Sequence, residues 1–158
     1  MRIGVLSVTL LLGVMLVSCA PAPSSSPSSQ SGIVITSAVV RLPGMAMPGM
    51  GTVEDSNLAG YLTIKNTSST DDNLIGVQAD FAMAMLHQTT VDSNGVASMK
   101  EVSAIPIPAG QTVELKPGSY HIMFMSPTQN LKTGESVEMT LQFQKAGSIK
   151  VQANVTDQ

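Results

Sequence analysis

Cysteine is all but missing from this chain: Cys19 is the only one among 158 residues. Any metal centre that depends on several thiolates is therefore excluded. Tryptophan is absent and aromatic residues make up only 3% of the chain, so the core must rest on Val, Ile, Leu, Ala and Met. Charge is also sparse. Eight Lys and Arg stand against eleven Asp and Glu, a formal net charge of −3. Loss of an N-terminal segment carrying Arg2 would make the remainder more acidic still. This balance argues against a nucleic-acid partner, because displacing counterions from phosphate needs a basic patch. No block of like charges marks a tail or tether. No Ser/His/Asp or Cys/His nucleophile set, outstanding acid pair or phosphate-cradling glycine loop appears, so no enzyme is expected. Helical stripes of useful length and internal repeats are lacking too.

Methionine is what the chain has in excess: eleven residues, nine of them beyond residue 18. As a flexible gap filler, methionine accounts for part of that number. Position has to identify the others. Met1 and Met15 fall in a segment that reads as an export signal over residues 1–18. Arg2 gives it a positive start, and residues 3–17 form an uncharged apolar run too short for a comfortable membrane span. The run ends in Leu16, Val17, Ser18 and Cys19, which resembles a bacterial lipobox. Cys19 is the expected lipidation site and membrane anchor. A lone free thiol is a liability in an oxidising compartment, whereas acylation removes it. Each buried methylene of an acyl chain contributes about 0.8 kcal/mol to anchoring. Residues 20–32 are rich in Pro and Ser without apolar periodicity, so residues 19–32 read as a lipidated cysteine and its linker.

From residue 33 to 158 the signals are those of one domain built from strands and turns. Short β-branched runs cover 33–40, 58–66, 73–79, 83–91, 112–115, 120–125, 136–143 and 149–155, separated by Asn/Asp/Gly/Pro chemistry. Asn94-Gly95 between two patterned runs is a hairpin signal. The expected fold class is all-β, a single-domain antiparallel sandwich or barrel.

Two of these runs have an unusual outer face. Along residues 120–125, Tyr120, Ile122 and Phe124 form an apolar face, which leaves His121, Met123 and Met125 together on the other. In a regular strand His121 and Met123 stand about 6.5 to 7 Å apart and can converge on one atom. The same parity puts Met83 and Met85 on the face of His87. Imidazole with thioether is a soft donor set that favours copper(I). Zinc fits less well, since its structural sites recruit thiolates and its catalytic sites several His or carboxylates. A blue-copper centre is excluded, because it requires a thiolate and Cys19 lies outside the domain. From donor types alone, two surface histidines beside packing methionines stay open as the alternative.

Spacing narrows this. His87, Gln88, ten residues, Met99, twenty-one residues, then His121-Ile122-Met123 fits the pattern H(M)X10MX21HXM. On that motif, and on residues 95–99, 105–110, 115–123 and 131–135, the chain resembles the PCuAC family of periplasmic copper chaperones over residues 33–155. Gln88 stands where the pattern allows an optional Met, and a Trp usual near the end of the first strand is replaced by the Val39-Val40 region. The resemblance implies a cupredoxin-like Greek-key sandwich that binds copper(I) through His87, Met99, His121 and Met123. It also implies delivery to the CuA subunit of cytochrome c oxidase, or to another copper-transfer protein. A monomer is expected, although no residue pattern fixes the oligomeric state. A copper store or resistance lipoprotein and a copper-dependent redox enzyme are the competing readings. Met45, Met47 and Met50, in a Gly/Pro-rich segment, are candidate accessory copper contacts together with Met85 and Met125.

Overall fold

The computed structural model describes residues 32–43 and 57–157. The expected signal, Cys19, its linker and Met45, Met47 and Met50 lie outside the described residues. Among those described there is no helix, and ten strands run in chain order. They are β1 (Ile33–Arg41), β2 (Leu58–Asn66), β3 (Asp72–Ala79), β4 (Met83–Val91) and β5 (Ala97–Glu101). They continue with β6 (Ile105–Ile107), β7 (Thr112–Leu115), β8 (Tyr120–Met125), β9 (Ser136–Phe143) and β10 (Gly147–Thr156).

The strands form one hydrogen-bonded sheet in the order β5-β4-β8-β2-β1-β10-β9-β3-β6, with β7 also paired to β2. Every pairing is antiparallel except β1 with β10. That parallel joint is short, matching residues 39–41 to 154–156. Ahead of it β1 pairs only with β2, and β10 only with β9, so the two halves can diverge into layers. A bulge in β1 between Thr36 and Val39, with Ser37 at φ 54, adds bend on the way to the joint. Folding over brings β3 against β4 and makes the expected sandwich.

The core lies between the layers. β2 alternates cleanly: Leu58, Gly60, Leu62, Ile64 and Asn66 point inward, while the residues between them are half-buried or exposed. Ile122 and Phe124 of β8, Leu74 of β3 and Leu141 of β9 are fully enclosed with them. Phe81 stacks against Phe124 at a centroid distance of 4.9 Å, tilted by 43°. Asn66 is buried without strain because each end of its amide is satisfied. Its Nδ2 donates to the carbonyls of Thr70 and Ile107 at 2.9 and 3.0 Å, and its Oδ1 accepts from the Ser68 amide at 3.0 Å.

Two strands exceed those read from the sequence, and both are edges. β5 is exposed along its whole length, so nothing imposes an alternation on its residues. β6 is three residues long, with Pro106 exposed in its middle, a position an edge strand tolerates.

Candidate metal centre

The site is assembled on the outer face of β4, β5 and β8, opposite the core. β8 is started by a tight turn over residues 116–119. Pro117 and Gly118 (φ 78) occupy its middle positions, and the Ser119 amide donates to the Lys116 carbonyl at 3.1 Å. The Ser119 carbonyl then does two things. It accepts the Thr89 amide at 3.0 Å, which locks β4 beside the turn. It also lies 3.3 Å from Nδ1 of His121. A carbonyl can only accept, so this contact puts the proton on Nδ1 and leaves Nε2 of His121 with the free lone pair.

Register does the rest. His87 stands directly opposite His121, Met85 opposite Met123 and Met83 opposite Met125. Directly opposed residues of an antiparallel pair share a face, with Cβ atoms about 4.5–5.5 Å apart. The two imidazoles meet edge to face, with centroids 5.7 Å apart and planes at 60°. His121 is 4% exposed. Burial lowers its pKa from the ordinary value; the Ser119 hydrogen bond works against this, and the neighbouring His87 adds to it. The ring is thereby held neutral, the form that binds a metal.

His87 is half-buried. Its Nδ1 is shut off from solvent without a hydrogen-bond partner, the one such side-chain atom among the described residues. A buried polar atom left unpaired costs about 1–3 kcal/mol. A soft cation shared with His121 would satisfy it.

Met99 arrives from the neighbouring hairpin. The Asp92 carboxylate shapes its turn by accepting the amides of Asn94 and Val96 at 2.8 Å each, and Gly95 sits at φ 80. β5 returns along β4 and sets Met99 opposite Thr89, 62% exposed. Met99, His121 and Met123 line one groove of about 460 Å³, together with Tyr61, Thr89 and Gly118. His87 is not part of that wall and borders it through the His121 ring. Of the four residues read as ligands, the structure thus brings three into one groove and sets the fourth against its buried member. Tyr61 and Thr89 were not singled out in the sequence. Only the pairing of β2, β4 and β8 places them here, and no local signal marks them.

Among the described residues no cluster of three or more His, Cys, Asp or Glu could hold an ion. The imidazoles and thioethers of the site fit a soft monovalent cation and give a hard one little to bind.

Comparison with known proteins gives the family and the fold to which the chain is similar. The profile of the LpqE-like lipoprotein family matches residues 33–155. Lxx21020 of Leifsonia xyli subsp. xyli, whose name classes it with the lipoproteins, is 32% identical over 94% of this chain and 85% of its own length. Among solved structures, the copper-bound PCuAC domain of PmoF2 superposes with a TM-score of 0.60 at 26% identity, covering 80% of this chain and 94% of that domain. The copper(I) form of DR1885 from Deinococcus radiodurans gives a TM-score of 0.58 at 29% identity, covering 82% and 83%.

Proposed function

The chain belongs to the LpqE-like lipoprotein family, which is of PCuAC type, and we propose from that and from its site that it is an exported copper(I) chaperone. Copper(I) is held by His87, Met99, His121 and Met123. The observation that carries this reading is the buried, unpartnered Nδ1 of His87, on a ring whose centroid lies 5.7 Å from that of His121. Two imidazoles beside thioethers stabilise the reduced ion and disfavour cycling to copper(II), which suits carriage better than redox turnover.

Copper is the cargo here, and the groove suggests how it leaves. Met99 is the most exposed of the four ligands and sits on an edge strand. A thioether from Met99 is the first to be exchanged for an incoming donor of the acceptor protein. His121, fixed by Ser119, is the last to let go. The acceptor is a site of higher copper(I) affinity, such as the CuA centre of cytochrome c oxidase or another copper-transfer protein. Export and lipidation at Cys19 place this exchange outside the cytoplasm, at a membrane surface.

The test is a copper(I) titration of the full chain against a competing chelator, repeated with His121→Ala and Met123→Ala. Binding tighter than about 1 μM, weakened at least about tenfold by each substitution, is expected. Weaker binding that ignores both substitutions would sink the chaperone reading.

A further inference from the structure

Three methionines on the same face are left over by the four-ligand site. Met83 and Met125 are directly opposed on β4 and β8, and Met85 is the diagonal neighbour of Met125 one rung closer to the histidines. We propose that Met83, Met85 and Met125 form a second copper(I) station, a site of thioethers alone, beside the His87/His121 centre on the same strand pair. The proposal rests on the copper(I) reading of that centre and adds a site to it.

Packing does not account for these side chains. Met139, at 1% exposure, shows what a core-filling methionine looks like in this fold. Met83, Met85 and Met125 instead lie on the outer face, while the inward residues between them, Leu86, Ile122 and Phe124, build the core. Met83 is 60% exposed, and Met85 and Met125 are half-buried. A half-wet outer face asks for polar or β-branched residues, yet three successive rungs carry only imidazoles and thioethers. Cross-strand and diagonal neighbours on one face are within reach of long side chains, so three flexible thioethers can close on one ion.

The position is also held. The Thr128 amide donates to the Phe81 carbonyl at 2.8 Å, which ties the chain leaving β8 to the turn entering β4. Ser126, at φ 49, turns the chain away immediately after Met125. The trio therefore occupies the last rung and a half of a pinned strand pair. Rungs repeat about every 7 Å, so an ion caught at the strand end reaches Met123 and then His121 in steps of one thioether exchange. Neutral thioethers without imidazole bind more weakly, which gives the transfer its direction.

The experiment is an anaerobic copper(I) titration of the full chain with chelators of graded affinity, alongside Met83→Leu/Met85→Leu/Met125→Leu and the exposed single variant Met83→Leu. Leucine conserves volume and removes the sulfur donor. The expected result is one tight and one weaker equivalent in the parent chain. The triple variant should lose the weaker equivalent and keep the tight one, and Met83→Leu should weaken the second alone. In His87→Ala/His121→Ala, X-ray absorption of the copper that remains bound should show a sulfur-only shell. A weaker equivalent that is absent from the parent, or that persists in the triple variant, overturns the second station and leaves the four-ligand site standing. Failure of the parent chain to bind any copper(I) overturns both.

Discussion

His121 combines three constraints in one side chain: burial, an Nδ1–H held by the Ser119 carbonyl, and a second imidazole 5.7 Å away. Its lowered pKa has a consequence for the copper-free protein. The folded ring releases its proton at lower pH than the unfolded ring does. Above about pH 6.5 both are neutral and stability is full. As the pH falls below that value the unfolded chain takes up the proton first, and stability is lost progressively down through the folded pKa. Thermal unfolding of the copper-free protein between neutral pH and about pH 5 should therefore show a fall in Tm that His121→Asn flattens. An unchanged pH slope in the variant would show that the ring is not held neutral. Met99 offers the opposite test, because it is exposed and makes little of the fold. Met99→Leu should leave stability within about 0.5 kcal/mol and weaken copper(I) binding by about tenfold or more. His121 and Met123 were legible in the sequence from strand parity, whereas Met99 was legible only through the family spacing. Its strand is too exposed to carry a pattern, and its place in the groove depends on the Asp92 turn.

Among the elements, β8 governs the site, and what shapes β8 is its neighbour β2. Gly60 faces Ile122 across this pair. A Cβ on residue 60 would lie 2.8 Å from the Phe124 ring and 3.1 Å from Cβ of Ile122. Both neighbours are fully buried, so the clash has no soft side on which to relax. Gly60→Ala should destabilise the domain by about 1–3 kcal/mol. It should also loosen copper binding, since Ile122 moves with His121 and Met123 on either side. A variant as stable as the parent by thermal unfolding would show that the approach of β2 to β8 is less constrained. Asn66 marks the other end of β2. Asn66→Ala would strip the Thr70 and Ile107 carbonyls of their donor, with a loss of about 1–3 kcal/mol measurable in urea. Eight of the ten strands were readable as apolar runs between turn residues. The partners of each strand were not, because opposition of His87 to His121 joins β4 and β8, which are neighbours in the sheet but far apart along the chain. Alternation says which face a residue takes and nothing about what it faces.

At the scale of the whole molecule, the copper site and the point where the chain enters the domain lie at opposite ends of β2. The Gly32 carbonyl accepts the Thr67 amide at 2.6 Å and the Thr67 hydroxyl at 2.9 Å, so the domain begins beside the end of β2 at Asn66. Met123 pairs with Ala59, seven residues earlier, which is roughly 24 Å along the strand. A chain anchored through Cys19 would thus be tied down at the end away from the groove, leaving the groove free to meet an acceptor. Anchoring and copper binding should then be separable. If Cys19 is the lipidation site, Cys19→Ser should move the protein from the membrane fraction to the soluble one, since acyl chains on that residue would supply the membrane affinity. The released protein should bind copper(I) as tightly as the parent. Copper delivery to a membrane-bound acceptor should become dependent on protein concentration, because the tether no longer raises the local concentration of donor near acceptor. If Cys19→Ser stays with the membrane, the anchor is not at that residue. If it leaves the membrane and loses copper affinity as well, the tether and the groove are not independent parts.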